Sequence, residues 1–282
     1  MILVFGQTGQ VARELQRAMP GACYLSRSEA DLADPAACAR VISSAKPAAV
    51  INAAAYTAVD QAEEETGIAA IVNGKSPGAM AAACSDLGIP LVHISSDYVF
   101  DGSGDEPFRT NMETKPLGAY GKTKLAGEEA IRASGATHVI LRTSWVFSAH
   151  GSNFVKSMLR LAETRAALNV VNDQIGGPTP ASGIAAACMG IAEQLQREPS
   201  LSGTHHYSGA PDVSWADFAR EIFAIAGKSV SVIGIPSSEY PTAAKRPANS
   251  RLDNTGLEKF NIERPDWRAA LASVISELEH SV

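Results

Sequence analysis

Apolar positions along the chain follow two rhythms. In the first half, short β-branched runs alternate with longer alanine-rich segments. Ile2–Phe5, Ala49–Asn52, Leu91–Ile94 and Val139–Leu141 predict buried strands, and Gln10–Ala18, Pro35–Ser44, Gly74–Leu87 and Tyr120–Ala133 predict helices. Strand, helix, strand in repetition implies a parallel sheet covered on both faces. Pro47 and Pro90 each stand just before a strand, where a helix must already have ended. Gly88-Ile89-Pro90 is a helix stop.

After Phe147 the rhythm changes. Residues 153–163 and 179–196 predict helices, and 214–227 a helix whose Ser214 and Asp217 are placed for a capping box. Residues 229–235 predict a strand, and 266–279 an amphipathic helix. The stretch 236–254 is rich in proline and predicts an ordered surface loop. The expected fold class is α/β: a doubly wound parallel sheet of the Rossmann kind over 1–148, completed by parts of 165–200. A smaller C-terminal α/β substrate unit is expected mainly over 149–282.

Composition narrows the classes. The chain has 282 residues, 45% of them hydrophobic, with a formal charge of −6, which argues against a general nucleic-acid binder. No stretch has the apolar length needed to cross a bilayer, so no membrane partner is expected. The opening apolar run stops at Gly6 with no basic region before it, which reads as a buried strand and not a secretion signal. Cys23, Cys38, Cys84 and Cys188 lie far apart with no Cys-x-x-Cys pair. They read as free thiols of a reducing compartment, so a cytoplasmic location is expected. His93, His138, His150, His205, His206 and His280 form no metal pattern and read as structural. Trp215 and Trp267 sit on helical patterns and read as core.

The candidate chemistry begins at the N-terminus. Gly6-Gln-Thr-Gly9-Gln10-Val11-Ala12 follows a strand and opens a helix. Small residues at these places permit a tight turn and close approach of a pyrophosphate, which the helix N-terminus favours. A turn with no ligand would use the same residues. After the second strand, where an acidic residue would select NAD, the chain reads Ser26-Arg27-Ser28. An arginine between hydroxyls suits a 2′-phosphate, so NADPH is the expected cofactor, with NADH as a second choice. A solvated surface arginine is the alternative. Asp31 and Leu32 are placed to contact the adenine, and Ala53-Ala54-Ala55 leave room for the cofactor backbone.

Tyr120 and Lys124 lie one helical turn apart, and Ser96 ends a predicted strand upstream. Tyr120 would protonate a carbonyl oxygen as hydride reaches its carbon, and Ser96 would hold that oxygen. A nearby Lys124 ammonium would lower the phenol pKa and hold the nicotinamide ribose. Trp145 leaves a strand at the presumed mouth of the site and is expected to touch substrate.

These residues carry a resemblance. Phe5–Ala12, Asn52–Asp60, Ser95-Ser-Asp97-Tyr-Val-Phe-Asp-Gly102, Tyr120-Gly-Lys-Thr-Lys124-Leu-Ala-Gly127-Glu128, Leu141-Arg-Thr-Ser-Trp145-Val-Phe147, Asn172–Gly176 and Arg246-Pro-Ala-Asn-Ser-Arg251-Leu252 run through nearly the whole chain. The chain resembles the extended short-chain dehydrogenases/reductases, and within them the dTDP-4-dehydrorhamnose reductase branch. The resemblance implies an NADP-binding nucleotide domain, a sugar-nucleotide domain, and NADPH reduction of the 4-keto group of a dTDP-6-deoxyhexulose to dTDP-L-rhamnose. It implies cofactor contacts from Gly9, Gln10, Val11, Asp31, Leu32, Ala55, Tyr56 and Thr57, and substrate contacts from Val59, Ser96, Asp97 and Trp145.

Some members are dimers bridged by magnesium through glutamates, one just after a Gly-Pro-Thr segment. Here Gly177-Pro-Thr-Pro-Ala-Ser-Gly183 carries no carboxylate, although Glu14 remains. A magnesium bridge is therefore not expected, and a monomer or weak homodimer is. An acidic protein must meet a diphosphate locally, and Lys245, Arg246 and Arg251 are the candidates, with a solvated basic loop as the alternative. Two competing functions share these motifs. One is a sugar-nucleotide epimerase or dehydratase that recycles bound NAD. The other is a non-catalytic regulatory subunit of the methionine adenosyltransferase type.

Overall fold

Val4 enters one apolar layer while its neighbours Leu3 and Phe5 enter the other, the period-two pattern of a strand buried on both faces. That alternation organises the first half of the computed structural model, which describes residues 1–280; residues 281 and 282 of the expected second unit lie outside the described residues. The elements run β1 (Ile2–Phe5), α1 (Gln10–Ala18), β2 (Cys23–Leu25), α2 (Pro35–Ala45), β3 (Ala49–Asn52), α3 (Thr66–Ala70), α4 (Ser76–Leu87), β4 (Leu91–Ser96), α5 (Ala119–Ala133) and β5 (His138–Thr143). Local signals set the ends. Asp34 caps α2 by accepting from the Ala37 amide, with Pro35 in the first turn. Gly88 closes α4 in the left-handed region.

The second half continues with β6 (Val146–Phe147), α6 (Phe154–Ala162), β7 (Ala167–Val171), β8 (Ile175–Gly176), β9 (Thr179–Pro180), α7 (Ala181–Arg197) and β10 (Gly203–His206). It ends with β11 (Val213–Ser214), α8 (Trp215–Ile225), β12 (Ser231–Ile235), β13 (Asn249–Ser250) and α9 (Trp267–Glu279). Ser214 and Asp217 form the reciprocal capping box of α8.

Six strands make one parallel sheet in the order β10-β5-β4-β3-β1-β2. Helices α1 and α7 cover one face through Leu15, Ile184, Cys188 and Ile191; α2, α4 and α5 cover the other through Ile42, Met80, Cys84 and Ile131. Thus α7 and β10 return late in the chain to the main sheet, while β7 pairs with β12 in a separate small sheet. A third apolar cluster, with Phe147, Phe218, Ile222, Trp267 and Leu271, packs α6, α8 and α9 together.

Three expectations change. The helix expected over 74–87 is the end of a longer run that starts at Thr66 and widens into a π-turn at Ile71–Lys75. Pro77 gives the cause: a proline ring crowds the carbonyl four residues back, and the wider turn relieves that crowding. The helix expected from 179 starts at Ala181, because Thr179, which precedes a proline, is held extended in β9 beside β6. The stretch 236–254 is not all surface loop: Asn249 and Ser250 are buried in β13 against β8, and Leu252 is buried against Phe108.

Candidate active site

Ser96 is the last residue of β4 and is buried. It starts a tight turn, accepting from the Tyr98 amide at 3.2 Å and donating to Asp97 Oδ1 at 3.0 Å. That turn receives the start of α5. Gly121 makes the approach possible, since a Cβ there would collide with the Tyr98 carbonyl oxygen. Tyr120 in the first turn of α5 then meets Tyr98 edge to face, with ring centroids 5.3 Å apart. Burial raises the Tyr120 phenol pKa, and the nearby Ser96 hydroxyl partly opposes it. The structure therefore brings the Tyr120 phenol to the end of β4, where Ser96 lies.

Lys124 departs from expectation. Its Nζ donates to the Ile94 carbonyl at 2.7 Å and lies 3.3 Å from His93 Nε2. The Asp97 charge raises the phenol further, and among the described residues the partners of Lys124 are His93 and Ile94 and not Tyr120. A buried cation takes the nearest strong acceptor, which here is a strand-end carbonyl. Burial pushes Lys124 down to about 8, against the opposing Glu128 charge.

Two buried polar atoms lie open at this sheet edge. Asp97 Oδ2 and Thr143 Oγ1 have no partner among the described residues, and Thr143 is the register neighbour of Ser96. Burial pushes the Asp97 carboxyl up to about 6, although the nearby Ser250 and Ser96 hydroxyls pull it down. Buried polar groups are normally satisfied, so this pair calls for donors and acceptors from a ligand. Thr143 was not among the sequence candidates; its place in the Arg142-Thr-Ser-Trp145 segment was the available signal.

The N-terminal turn fits a dinucleotide. Gly6 has φ +108°, and a Cβ there would lie 3.3 Å from the Ala53 backbone. Gly9 caps α1 with no side-chain hydrogen bond, which leaves the first-turn amides to an anion. Val11 and Leu32, both expected at the cofactor, are buried in the two core layers. Gln10 is engaged elsewhere. Its Oε1 accepts from Ser148 at 2.9 Å and Asn153 at 2.8 Å, tying the turn to the start of the second half. Ala55, Tyr56 and Thr57 follow β3, where Asn73 binds the Tyr56 backbone and reaches Thr123 on α5. Asn73 is a further positioning residue with no sequence signal beyond its polarity inside an apolar run. Beyond β2, Arg27 is 82% exposed and lies 3.3 Å from Asp31, while Ser26 donates to Glu29 at 2.6 Å.

On the substrate side, Arg246 reaches Asp60 Oδ2 at 2.5 Å and the Tyr98 hydroxyl at 3.3 Å, beside Val59. Arg251 donates to Asn249 Oδ1 at 3.1 Å. Trp145 has φ +49° and stacks on Trp215 with centroids 3.5 Å apart, and a Cβ at Gly176 would press on its ring. Trp267 is fully buried as expected, whereas Trp215 is a partly exposed stacking platform for Trp145.

Comparison with known proteins decides the family. A profile described as RmlD substrate binding domain matches residues 1–280. A dTDP-4-dehydrorhamnose reductase of Sinorhizobium fredii is 43% identical, covering 97% of this chain and 96% of its own length. The chain belongs to the dTDP-4-dehydrorhamnose reductase family. A crystal structure of a family member from Clostridium acetobutylicum superposes with TM-score 0.91 at 37% identity, covering 99% of each chain. A second, from Bacillus anthracis in complex with NADP, gives TM-score 0.91 at 32% identity and 98% coverage of each. No helix among the described residues is long and apolar enough to cross a membrane.

Proposed function

We infer that the chain reduces the 4-keto group of dTDP-4-dehydro-6-deoxy-L-mannose to give dTDP-L-rhamnose, with NADPH as the preferred cofactor. The observation that carries this reading is the arrangement at the end of β4, where Ser96 and the Tyr98–Tyr120 ring pair stand beside the unsatisfied Asp97 and Thr143 atoms. When bound, the reduced nicotinamide supplies the hydride. The turn from Gly6 to Val11 and the segment Ala55–Thr57 hold the dinucleotide, and Lys124 holds its ribose. Burial keeps Tyr120 a protonated phenol, which is the form needed to give a proton to the substrate oxygen. Ser96 donates a hydrogen bond to the same oxygen, exchanging its present acceptor on Asp97. Asp97 and Thr143 receive sugar hydroxyls, and Trp145 and Val59 shape the sugar pocket.

Arg246 and Arg251 meet the diphosphate, Arg246 by exchanging part of its pairing with Asp60. Residues 149–282 supply most of the sugar-nucleotide side. The protein acts as a monomer or weak homodimer. The test follows NADPH absorbance with the 4-keto hexulose nucleotide. One NADPH consumed per sugar supports reduction. Turnover without net NADPH loss supports an epimerase, and binding to an adenosyltransferase without turnover supports a regulatory subunit.

A further inference from the structure

His93 read as structural in the sequence, and it is fully buried at the centre of the sheet. Its two ring nitrogens are both engaged. Asn52, its register neighbour on β3, lies 3.0 Å from Nδ1, and Lys124 Nζ lies 3.3 Å from Nε2. The Asn52 amide has a fixed orientation, because its Oδ1 accepts from the Ala54 amide at 3.1 Å. The group facing His93 is therefore the Asn52 NH₂, a donor, and Nδ1 must accept.

Burial, followed by the Lys124 charge, holds the His93 pKa well below its usual value, so the ring is neutral. A neutral imidazole carries one proton. With Nδ1 accepting, that proton sits on Nε2 and points at Lys124. A ring N–H meets no lone pair on an ammonium, but it meets one on an uncharged amine. The Ile94 carbonyl accepts from Nζ in either form.

We propose that His93 is a positioning residue for the reduction: locked by Asn52 with its proton on Nε2, it fixes Lys124 Nζ at the end of β4 and biases that amine toward its uncharged form. The proposal rests on the reading that Lys124 serves the reduction. The other groups around Lys124 are accounted for. Tyr120 and Glu128 lie on its own helix, and Glu128 raises the Lys124 pKa while being neutralised by Arg142 of β5 and Arg132. Asp97, after β4, acts on Tyr120, and the π-turn contributes the neutral Asn73. Burial already lowers the Lys124 pKa, and the His93 Nε2–H at 3.3 Å is the group whose geometry adds to that bias.

The test reads the wild-type protein first. Imidazole ¹⁵N spectra should show a protonated Nε2 and a bare Nδ1 on His93; a proton on Nδ1 overturns the proposal. The Lys124 protonation midpoint is then followed with ε-¹³C lysine, the signal being assigned by its loss in Lys124→Met. Asn52→Ala frees the ring to change tautomer, and His93→Phe removes the donor. Each should raise the midpoint by about one pH unit, a tenfold gain in proton affinity. Each should also move the pH limb of kcat in parallel while leaving KM for the sugar nucleotide unchanged. An unmoved midpoint in a folded variant overturns the proposal. The spectra need no turnover, so a wild-type protein inactive on the 4-keto sugar would sink the functional reading and leave this result standing.

Discussion

Two polar clusters sit side by side at the ends of β4 and β5, and they differ in one respect. Ser95 belongs to the first and Ser96 to the second. Glu128, fully buried, accepts from Ser95 at 2.6 Å, from Arg142 at 2.9 and 2.6 Å, and from Arg132 at 2.5 Å. Arg142 also lies 4.9 Å over the Phe100 ring. Burial alone would raise the Glu128 carboxyl, but these partners bring it below its ordinary value. The carboxylate is saturated. Asp97, one residue past Ser96, is also buried but leaves Oδ2 without a partner among the described residues. The neighbouring His206 has one unpartnered nitrogen too. Burial, helped by Arg142, pushes its pKa down to about 3, so that nitrogen is on a neutral ring and lacks the charge that Asp97 carries. Burial of charge therefore does not mark function here. Unfilled hydrogen-bonding capacity on a buried charged group is what sets the proposed site apart from the saturated cluster.

The largest effects would break this comparison if they came out reversed. Tyr120→Phe should lower kcat by about two to four orders of magnitude, while stability to urea changes by less than about 1 kcal/mol. Glu128→Ala should do the opposite. It leaves the Arg142 guanidinium buried without its counter-ion, which costs about 3–5 kcal/mol in urea unfolding. If Glu128→Ala abolished turnover in a fully stable protein, the saturated cluster would be part of the chemistry.

A smaller effect sharpens the comparison through pH. The folded Asp97 pKa is about 6, above its ordinary 3.8. The native state therefore keeps the proton longer than the unfolded chain does. Asp97 destabilises progressively as pH rises from 3.8 to 6, fully above that window and not at all below it. Asp97→Asn should gain roughly 1–3 kcal/mol at pH 8 and nothing at pH 3.5, measured by denaturant midpoints, while KM for the sugar nucleotide rises. A gain independent of pH would show that desolvated charge is not the reason.

Much of this was legible from the chain alone, and the two clusters show where legibility stopped. The strands, the glycine turn and the Ser96–Tyr120–Lys124 spacing follow from period and local chemistry, which a sequence displays. Glu128 and Arg142 were quoted as motif residues, but no spacing rule says that a helix residue and a strand residue will meet. The same holds for Asn52 and His93, which become neighbours only through sheet register. Polar residues in the middle of buried parallel strands were the available sign. The Ile94 carbonyl that holds Lys124 was not legible, because sequence distance gives a shared helix face but not which acceptor a buried ammonium finds. The extra π-turn before Pro77 was hidden for a similar reason, since it relieves a crowding that the pattern of apolar residues does not record.

The end of β2 offers a third region, and with it the smallest expected effect. There the polar groups are exposed and already paired with one another: Arg27 with Asp31 at 3.3 Å, and Ser26 with Glu29 at 2.6 Å. An 82% exposed guanidinium works in water, where ion pairs contribute at most about 1 kcal/mol. Its contact to a 2′-phosphate should therefore be modest. Arg27→Ala should lower kcat/KM with NADPH by about three- to tenfold and leave kcat/KM with NADH unchanged, a range that matches about 1 kcal/mol. A hundredfold loss would mean that the loop closes over Arg27 and desolvates it on binding, making this region behave like the open cluster at β4. No change would mean that Arg27 remains with Asp31 and that the 2′-phosphate finds its donors elsewhere.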